Sequence, residues 1–472
     1  MTISLFLHHK KSIFFNLCFS LLFVLPLLLA NVPYEDDLNR DLHGYDLNGN
    51  SRFIGSLFMR IFSFNLNYSF SWFPFSSILI FSLFGFSGLL MSNLLHIEKE
   101  TNIKLSSVII LCSPFLLHNL SYRYDVNMPL SLIVLIIPFF FTNRKYIFLC
   151  LSILSVYLSL GLYQATTFSY FLIGTLYLLY IKKNNIKFNY SRFLFLSFLS
   201  FIIACLLYKL SLLILDMDIT YNNTEIIFFK NDFFLLLKNN IVYYLNSLSP
   251  IVNTKYLLAL FFFIILSIIS LIRFISLSKN YALLILLACS CLVAFFLIGG
   301  INLLLYPAIF VPRTLIGYSL ILYIPAIFLN DIKNYTLKYL SYSIIIIYSL
   351  LAISNYGKIL ANHEKYLVYI ENIIDSNFKN QNPQTKRIII GEINVPINHL
   401  IYKSFPIIRE LKPSNWYNHI RLNDYYGYKK PDNEEIIRFY NKDEQEKFDT
   451  KWENPSITIK GNDNYILIIN KN

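Results

Sequence analysis

The residues best suited to chemistry lie close together between positions 31 and 60. Three consecutive carboxylates, Glu35, Asp36 and Asp37, follow directly on an apolar run over 12–32. Further charged and titratable side chains come at close spacing, namely Arg40, Asp41, His43, Asp46 and Arg52. Such a stretch has the groups that a site needs in order to take a proton from a hydroxyl while arginines hold an anionic phosphate. Charged residues also commonly flank membrane spans, so an ordinary solvated loop is the other interpretation.

The composition indicates a membrane protein. Of the 472 residues, 56% are hydrophobic and only 14% are charged, and the mean hydropathy is +0.51. A soluble globular domain usually has about 25% charged residues, so that class is excluded. The net charge of +12 does not indicate a nucleic-acid partner, because the basic residues lie mostly in short segments between apolar runs. The sequence therefore predicts an integral protein of the lipid bilayer.

Apolar runs of spanning or near-spanning length recur over the first 355 residues. The first run is longer than the roughly 7 to 15 residues of a signal-peptide core, which favours an uncleaved first span. Ten more runs follow at 74–95, 103–119, 129–141, 146–160, 162–181, 193–215, 256–275, 281–299, 313–329 and 336–355. Two of them, 129–141 and 146–160, are shorter than the roughly 17 residues that a span needs, and Pro129 and Pro138 favour a distorted helix. We expect a mainly α, polytopic protein with about eleven spans.

The distribution of lysines and arginines predicts how the spans are oriented. Every loop on one side has at least two of these residues. In chain order, the loops contain Lys10 and Lys11; Lys99 and Lys104; Arg144 and Lys145; Lys182, Lys183, Lys187 and Arg192; Arg273 and Lys279; and Lys333 and Lys338. The short loops on the other side have one or none. The N-terminus is therefore expected in the cytoplasm, and the loops 33–73 and 216–255 outside it. An odd number of spans places the tail outside as well.

The tail differs in composition from the rest, since Lys, Asn, Asp, Glu and Pro become more frequent from about residue 356. Residues 363–378 are typical of an amphipathic helix, and residues 387–395 of a strand. Residues 457–470 are typical of two strands that form a hairpin with its turn at Gly461 and Asn462. We predict a transmembrane domain over 1–355 and a small α/β domain over 356–472. Aromatic residues of the tail that could stack on a sugar or form a core are Trp416, Tyr417, Tyr425, Tyr426 and Tyr428.

Polar groups recur in the loops on the same side as the carboxylates. They are Arg123, Tyr124 and Asp125 after the third span, Tyr163 and Gln164 between the fifth and sixth, and Arg313 at the tenth. A single ionisable residue at a span end is often only an interface anchor. Four separate loops offering such groups on one side favour a site.

The stretch 34–52 resembles the first extracytoplasmic loop of the type II glucosyltransferase (Gtr) family, membrane enzymes that glucosylate O-antigen and convert serotype in enteric bacteria and their phages. The family pattern is an aromatic residue, an Asp-Asp pair, an Arg three residues on, a Gly-Tyr, and then Gly-Arg-Pro. The matching residues are Asp36, Asp37, Arg40, Gly44, Tyr45 and Arg52, whereas Ser51 and Phe53 replace the second Gly and the Pro, and the usual Trp before them is missing. The resemblance continues in Tyr-Arg-Tyr-Asp at 122–125, in Tyr163-Gln164 and in Arg-Thr-Leu at 313–315, and covers the first 330 residues.

The resemblance implies a GT-C type glycosyltransferase of the bacterial inner membrane. Such a hexosyltransferase takes glucose from undecaprenyl phosphate glucose at the periplasmic face and transfers it to a sugar of the O-antigen repeat of lipopolysaccharide. A lipid-linked glucose synthase and a flippase would supply the donor. The side opposite the cytoplasm, which includes the C-terminal domain, is then the periplasm.

The residues of these motifs have roles that fit such a reaction. Asp36 or Asp37 would be the general base for the acceptor hydroxyl, and its neighbour would orient the acceptor or an arginine. The arginines available for the donor phosphate are Arg40, Arg52, Arg123 and Arg313. The candidates for other substrate contacts are Glu35, Tyr124, Asp125, Tyr163 and Gln164. We expect no metal and no cofactor, because arginines can carry the charge of the leaving phosphate. The six cysteines all fall in apolar runs and indicate no disulfide framework.

An O-antigen polymerase or a lipid-linked oligosaccharide flippase is the alternative, since both are also multi-span, basic and aromatic. A polymerase would be expected to keep its decisive arginines in large, later periplasmic loops. A flippase would need charged residues deep within several spans, and here the spans are nearly free of charge.

Overall fold

The computed structural model describes residues 10–44, 51–65, 71–98, 103–217, 225–252, 255–378, 381, 383–462 and 464–471. Helix is the dominant secondary structure of these residues, which confirms a mainly α protein. Eight helical segments among them are long and apolar enough to cross a membrane: Lys10–Ala30, Phe75–Leu94, Lys145–Leu162, Tyr190–Ile214, Tyr256–Ser278, Ala282–Leu304, Pro312–Leu329 and Tyr335–Asn377. The polytopic architecture is thereby confirmed, with fewer full-length spans than the eleven expected.

Two predicted spans form helices that are shorter than expected. The run 103–119 is divided into a 3-10 helix over Leu105–Cys112 and a short α-helix over Leu116–Ser121. Pro114 lies between them, and proline cannot donate the backbone hydrogen bond that a continuous helix would need. The run 162–181 gives a helix over Ser169–Lys183, because its first residues form a separate turn.

The two runs that were expected to be short behave differently from each other. The run 129–141 forms an α-helix over Asn127–Ile136 that tightens into a 3-10 helix over Ile137–Phe141, where Pro138 removes a backbone donor. The run 146–160, by contrast, lies within an 18-residue helix. Its expected shortness was wrong, since flanking residues at both ends continue the helix.

Shorter helices connect the spans and build the tail. The α-helices are Asp36–His43, Phe53–Phe62, Phe233–Val252, Tyr318–Ile321, Tyr323–Leu329, His399–Ser404, Pro406–Arg409, Asn415–Leu422, Asn433–Arg438 and Lys442–Gln445. The remaining 3-10 helices are Gln164–Thr166, Ile227–Phe229, Gly300–Leu304, Pro312–Leu315, Pro396–Asn398 and Asp424–Tyr426. Two short strands, β1 (Glu225–Ile226) and β2 (Leu305–Tyr306), pair antiparallel and join two loops that are distant in sequence.

The helix Tyr335–Asn377, here called the long helix, has 43 residues and continues through the predicted domain boundary at 355. At 1.5 Å per residue it is about 64 Å long, roughly twice the 30 Å thickness of a bilayer core. One half of it must therefore project from the membrane. The predicted amphipathic helix at 363–378 lies at the end of this projecting half, and its buried side chains include His363, Leu367 and Ile370.

The tail contains a four-stranded sheet in the order β3-β6-β5-β4, formed by Lys386–Ile390 (β3), Thr450–Glu453 (β4), Ile457–Gly461 (β5) and Tyr465–Asn470 (β6). β3 is parallel to β6, with Lys386 opposite Tyr465, and β5 and β6 form the expected hairpin, with Gly461 opposite Ile466. β3 ends earlier than predicted because Gly391 has a φ of +81° and turns the chain.

Candidate active site

The two neighbouring aspartates lie on the helix Asp36–His43, which ends at Gly44 in the left-handed conformation. The Oδ2 atom of Asp36 lies 3.6 Å from Nη2 of Arg40, one turn further along the same face. Successive residues of a helix are rotated by about 100°. Asp37 therefore points in a different direction from Asp36, toward the protein interior.

Asp37 is fully buried and is held by backbone groups. Its Oδ2 accepts hydrogen bonds from the backbone N–H of Arg123 at 2.9 Å and of Tyr34 at 3.3 Å. Its Oδ1 has no hydrogen-bond partner among the described residues. Burial raises the pKa of Asp37 to about 8, although the charge of Arg40 and the contacts of Arg123 oppose the change. The raised pKa favours the protonated form of Asp37, which is less suited to act as a base than an ionised carboxylate.

A cavity of about 800 Å³ opens beside the aspartate helix. Seven of the eleven residues predicted for the site line it: Asp36, Arg40, Arg52, Asp125, Tyr163, Gln164 and Arg313. Much of the remaining wall is apolar and includes Leu160, Phe168, Phe201, Leu212, Ile301 and Val311. Residues from separate loops therefore meet at one cavity that is polar at some walls and apolar at others.

Arg52 is oriented by two residues of the loop that follows the helix Lys145–Leu162. Its Nε donates a hydrogen bond to Oε1 of Gln164 at 3.0 Å, and its guanidinium lies over the ring of Tyr163 at 4.5 Å. Gln164 in turn donates to the hydroxyl of Tyr208 at 3.1 Å. These contacts fix the position of the arginine without neutralising its charge.

Arg313 is the second residue of the span Pro312–Leu329 and is fixed by hydrogen bonds of its backbone and by a contact of its guanidinium with an aromatic ring. Its N–H donates to Nδ1 of His118 at 3.2 Å, and its carbonyl accepts from the hydroxyl of Tyr163 at 3.2 Å. The guanidinium lies 4.9 Å from the centre of the Tyr122 ring. Within the described residues neither Arg52 nor Arg313 forms an ion pair with a carboxylate, so both cations can meet an anionic ligand.

Arg40 lies among carboxylates. Burial works against its charge, but Asp125, Asp37 and Asp36 outweigh that effect and raise the pKa of Arg40. Its guanidinium also lies 5.3 Å from the centre of the Tyr124 ring. Arg40 therefore holds Asp36 in place at the cavity wall while it remains charged.

The other four predicted residues do not line the cavity. Glu35 is bound by the tail, since its two carboxylate oxygens accept from the backbone N–H and the hydroxyl of Ser414, both at 2.6 Å. Arg123 donates to Oδ1 of Asn31 at 3.1 Å and lies over the ring of Phe73. Tyr124 donates its hydroxyl proton to Asp41. Two members of the sequence cluster, Tyr45 and Asp46, lie outside the described residues.

The cavity also contains residues that sequence reasoning missed. Lys209 lies within the apolar helix Tyr190–Ile214, and a charge inside a span is a signal that could have identified it. Glu225 and Lys230 form an ion pair at 2.8 Å beside β1. Nothing in the sequence singled them out from the other charges of a long loop.

The available metal ligands are dispersed. In the described ranges, no three His, Cys, Asp or Glu side chains converge so as to hold a metal ion. All six cysteines are free thiols. The positive charge at the cavity comes from arginine and lysine side chains.

The family model described as Glucosyl transferase GtrII matches residues 25–330. The chain belongs to this family. The matched range contains all eleven residues predicted for the site, and it ends just before the long helix. This match confirms the predicted family and shows that the protein is a glucosyltransferase. No curated protein and no solved structure matches the chain.

Proposed function

We propose that this GtrII-family protein transfers glucose from undecaprenyl phosphate glucose to a sugar of the O-antigen repeat. The observation that carries the proposal is the cavity, because it combines a carboxylate (Asp36), three arginines (Arg40, Arg52 and Arg313) and an apolar wall. A polyprenyl phosphate sugar has three parts that match these groups. Its sugar reacts with the acceptor hydroxyl that the carboxylate would deprotonate, its phosphate would bind the arginines, and its hydrocarbon chain would contact the apolar wall.

The cations of the cavity suit the phosphate of the donor. Five cationic side chains and three carboxylates line it, so that its wall carries an excess of positive charge. The guanidinium groups of Arg52 and Arg313 can each hold two phosphate oxygens. The apolar wall formed by Phe168, Phe201 and Leu212 provides a surface for the first prenyl units.

Asp36 is the general base in this proposal, and Asp37 is a positioning residue. The side chain of Asp36 is 40% exposed and reaches the cavity, whereas Asp37 is buried behind it. The acceptor oxygen forms a bond to the anomeric carbon of glucose while the bond from that carbon to the phosphate oxygen breaks. The hydroxyl proton passes to Asp36, and the electron pair of the broken bond remains on the lipid phosphate, which the arginines stabilise.

The same proposal includes the orientation of the protein in the inner membrane. We place the N-terminus in the cytoplasm, and the cavity and the domain 356–472 in the periplasm. Support comes from the lysine distribution, since Lys145, Lys183 and Lys338 lie at the helix ends far from the aspartates. The extracytoplasmic loops 33–73 and 216–255 would then present Asp36 and Lys230 to the donor.

The test is expression in a host with a known O-antigen, followed by linkage analysis of the polysaccharide. We expect added glucose only when the host also supplies lipid-linked glucose, and its loss in Asp36→Asn at normal protein abundance. Asp41→Asn is the matched control on the same helix, because an asparagine can still accept the bond from Tyr124. An unchanged sugar composition with the wild-type chain and donor present would refute the proposal.

A further inference from the structure

A second cavity, of about 520 Å³, lies at the opposite end of the helices from the first. Two helical segments show this relationship. The helix Ser169–Lys183 begins next to Phe168 in the first cavity and ends at Lys183 in the second. The segment Pro312–Leu329 begins with Arg313 in the first cavity and is followed by Asn330 in the second. No residue that lines the first cavity also lines the second.

The charged side chains of the second cavity are mostly basic. Lys183, Lys333 and Lys338 line it together with His96, against the two carboxylates of Glu98 and Asp331. Both carboxylates already have partners in the protein: Glu98 accepts from the backbone N–H of Ser106 at 2.8 Å, and Asp331 forms an ion pair with Lys183 at 2.7 Å. Burial also raises the pKa of Glu98, which favours its uncharged form.

Lys183 is only 3% exposed, yet its ammonium group is well placed for a ligand. It donates one hydrogen bond to the carbonyl of Ile327 at 2.6 Å and contacts Asp331. An ammonium group has three N–H donors, so these two contacts leave one for a further acceptor. Asp331 matches the charge of this ammonium group, and the remaining N–H can donate to an acceptor in the adjacent cavity.

The start of the long helix adds further positive charge. Lys338 lies in its first turn and is almost fully buried, where it donates to Oδ1 of Asn330 at 3.3 Å. A helix start carries a partial positive charge that attracts anions. Lys333 and Tyr335 are exposed at the rim of the same cavity. The buried Lys338 and the exposed Lys333 therefore line the same cavity.

We infer that this second cavity binds a phosphate group, either of an anionic phospholipid head or of a soluble phosphate compound. The phosphate accepts from Lys183 and Lys338, and Lys333 contributes charge at the rim. The volume accommodates a phosphate with its attached glycerol. Because the site uses no residue of the catalytic cavity, its failure and the failure of the proposed reaction are independent.

The experiment uses the full-length chain in detergent micelles and native mass spectrometry. Phosphatidylglycerol is compared with phosphatidylcholine of the same acyl chains, and inorganic phosphate is then added as a competitor. We expect phosphatidylglycerol to bind at least about tenfold more tightly, because phosphatidylcholine presents the same phosphate but adds a trimethylammonium group that the lysines repel. Displacement by inorganic phosphate would assign the site to soluble phosphates, and retention would assign it to the lipid head.

Lysine variants test whether this cavity is the site. Lys333→Gln alters an exposed side chain and should fold normally, whereas Lys338→Gln removes a buried charge. Both should weaken the binding several-fold, and Lys338→Gln more. Lys182→Gln is the matched control, because it lies next to Lys183 but does not line the cavity. Equal binding of the two lipids without phosphate binding, or an equal effect of Lys333→Gln and Lys182→Gln, would overturn the inference.

Discussion

Asp36 and Asp37 are neighbours in sequence but lie in opposite environments. The carboxylate of Asp36 pairs with Arg40 at 3.6 Å and faces the cavity, whereas that of Asp37 is buried and accepts two backbone hydrogen bonds. One carboxylate is therefore available to a substrate, and the other links the aspartate helix to the loop that carries Arg123. The two residues should respond differently to the same substitution.

Asp36→Asn should lower the rate of glucose transfer by about 10²- to 10⁴-fold, which is the usual contribution of a general base. Asp37→Asn should lower it much less at neutral pH, because an asparagine oxygen can still accept the bonds from Arg123 and Tyr34. The measurement is kcat with labelled polyprenyl phosphate glucose and purified protein. An equal loss in both variants would contradict the division of roles.

The stability of the protein should depend on pH through Asp37. Its pKa in the folded state is about 8, above the ordinary value of 3.8, so the folded state binds the proton more tightly. The stabilisation is complete below the ordinary pKa and is lost as the pH rises through about 8, by up to about 1.4 kcal/mol per pH unit. Thermal unfolding between pH 5 and pH 9 measures this. Asp37→Asn, which does not titrate, should show a flatter profile, and identical profiles would contradict the prediction.

Arg52→Lys and Arg313→Lys should each raise the KM for the donor by about tenfold, because lysine keeps the charge but loses the two-pronged contact with phosphate. Arg52→Lys also loses the hydrogen bond to Gln164. Arg144→Lys is the control, since Arg144 is exposed and does not line the cavity. A change in kcat alone, with an unaltered KM, would argue against a role in binding the donor.

Glu35 and Ser414 should act as a pair that fastens the tail to the aspartate helix. Ser414→Ala removes one hydrogen bond to Glu35 and the cap of the helix Asn415–Leu422, at a cost of about 1 kcal/mol. Limited proteolysis of the tail should become several-fold faster in Ser414→Ala and in Glu35→Gln, without additivity in the double variant. If Glu35 instead bound substrate, only Glu35→Gln would raise the KM.

The sequence predicted the membrane class, the family and the convergence of several loops on one site. Charge was the effective signal, since Asp36 and Arg52 in the first loop and Arg313 in a later one stand out against apolar surroundings. Their meeting at one cavity follows from the alternation of spans, which returns every second loop to the same side.

Other features depended on packing that no local pattern contains. Glu35 meets Ser414 across 379 positions of chain, and periodicity cannot indicate such a contact. The span count was too high partly because hydropathy records how apolar a run is and does not show that Pro114 interrupts the run 103–119. The division between Asp36 and Asp37 required the orientation of the helix relative to the core.

The long helix limits how this chain can change in length. Inserting a single residue anywhere between the bilayer and the sheet would advance everything beyond it by 1.5 Å and turn it by about 100°. Ser414 would then swing away from Glu35, and the tail would meet the bundle with a different face. Insertions or deletions in this helix should therefore be tolerated only when they add or remove close to a whole number of helical turns, because the tail then keeps its rotational orientation relative to the bundle.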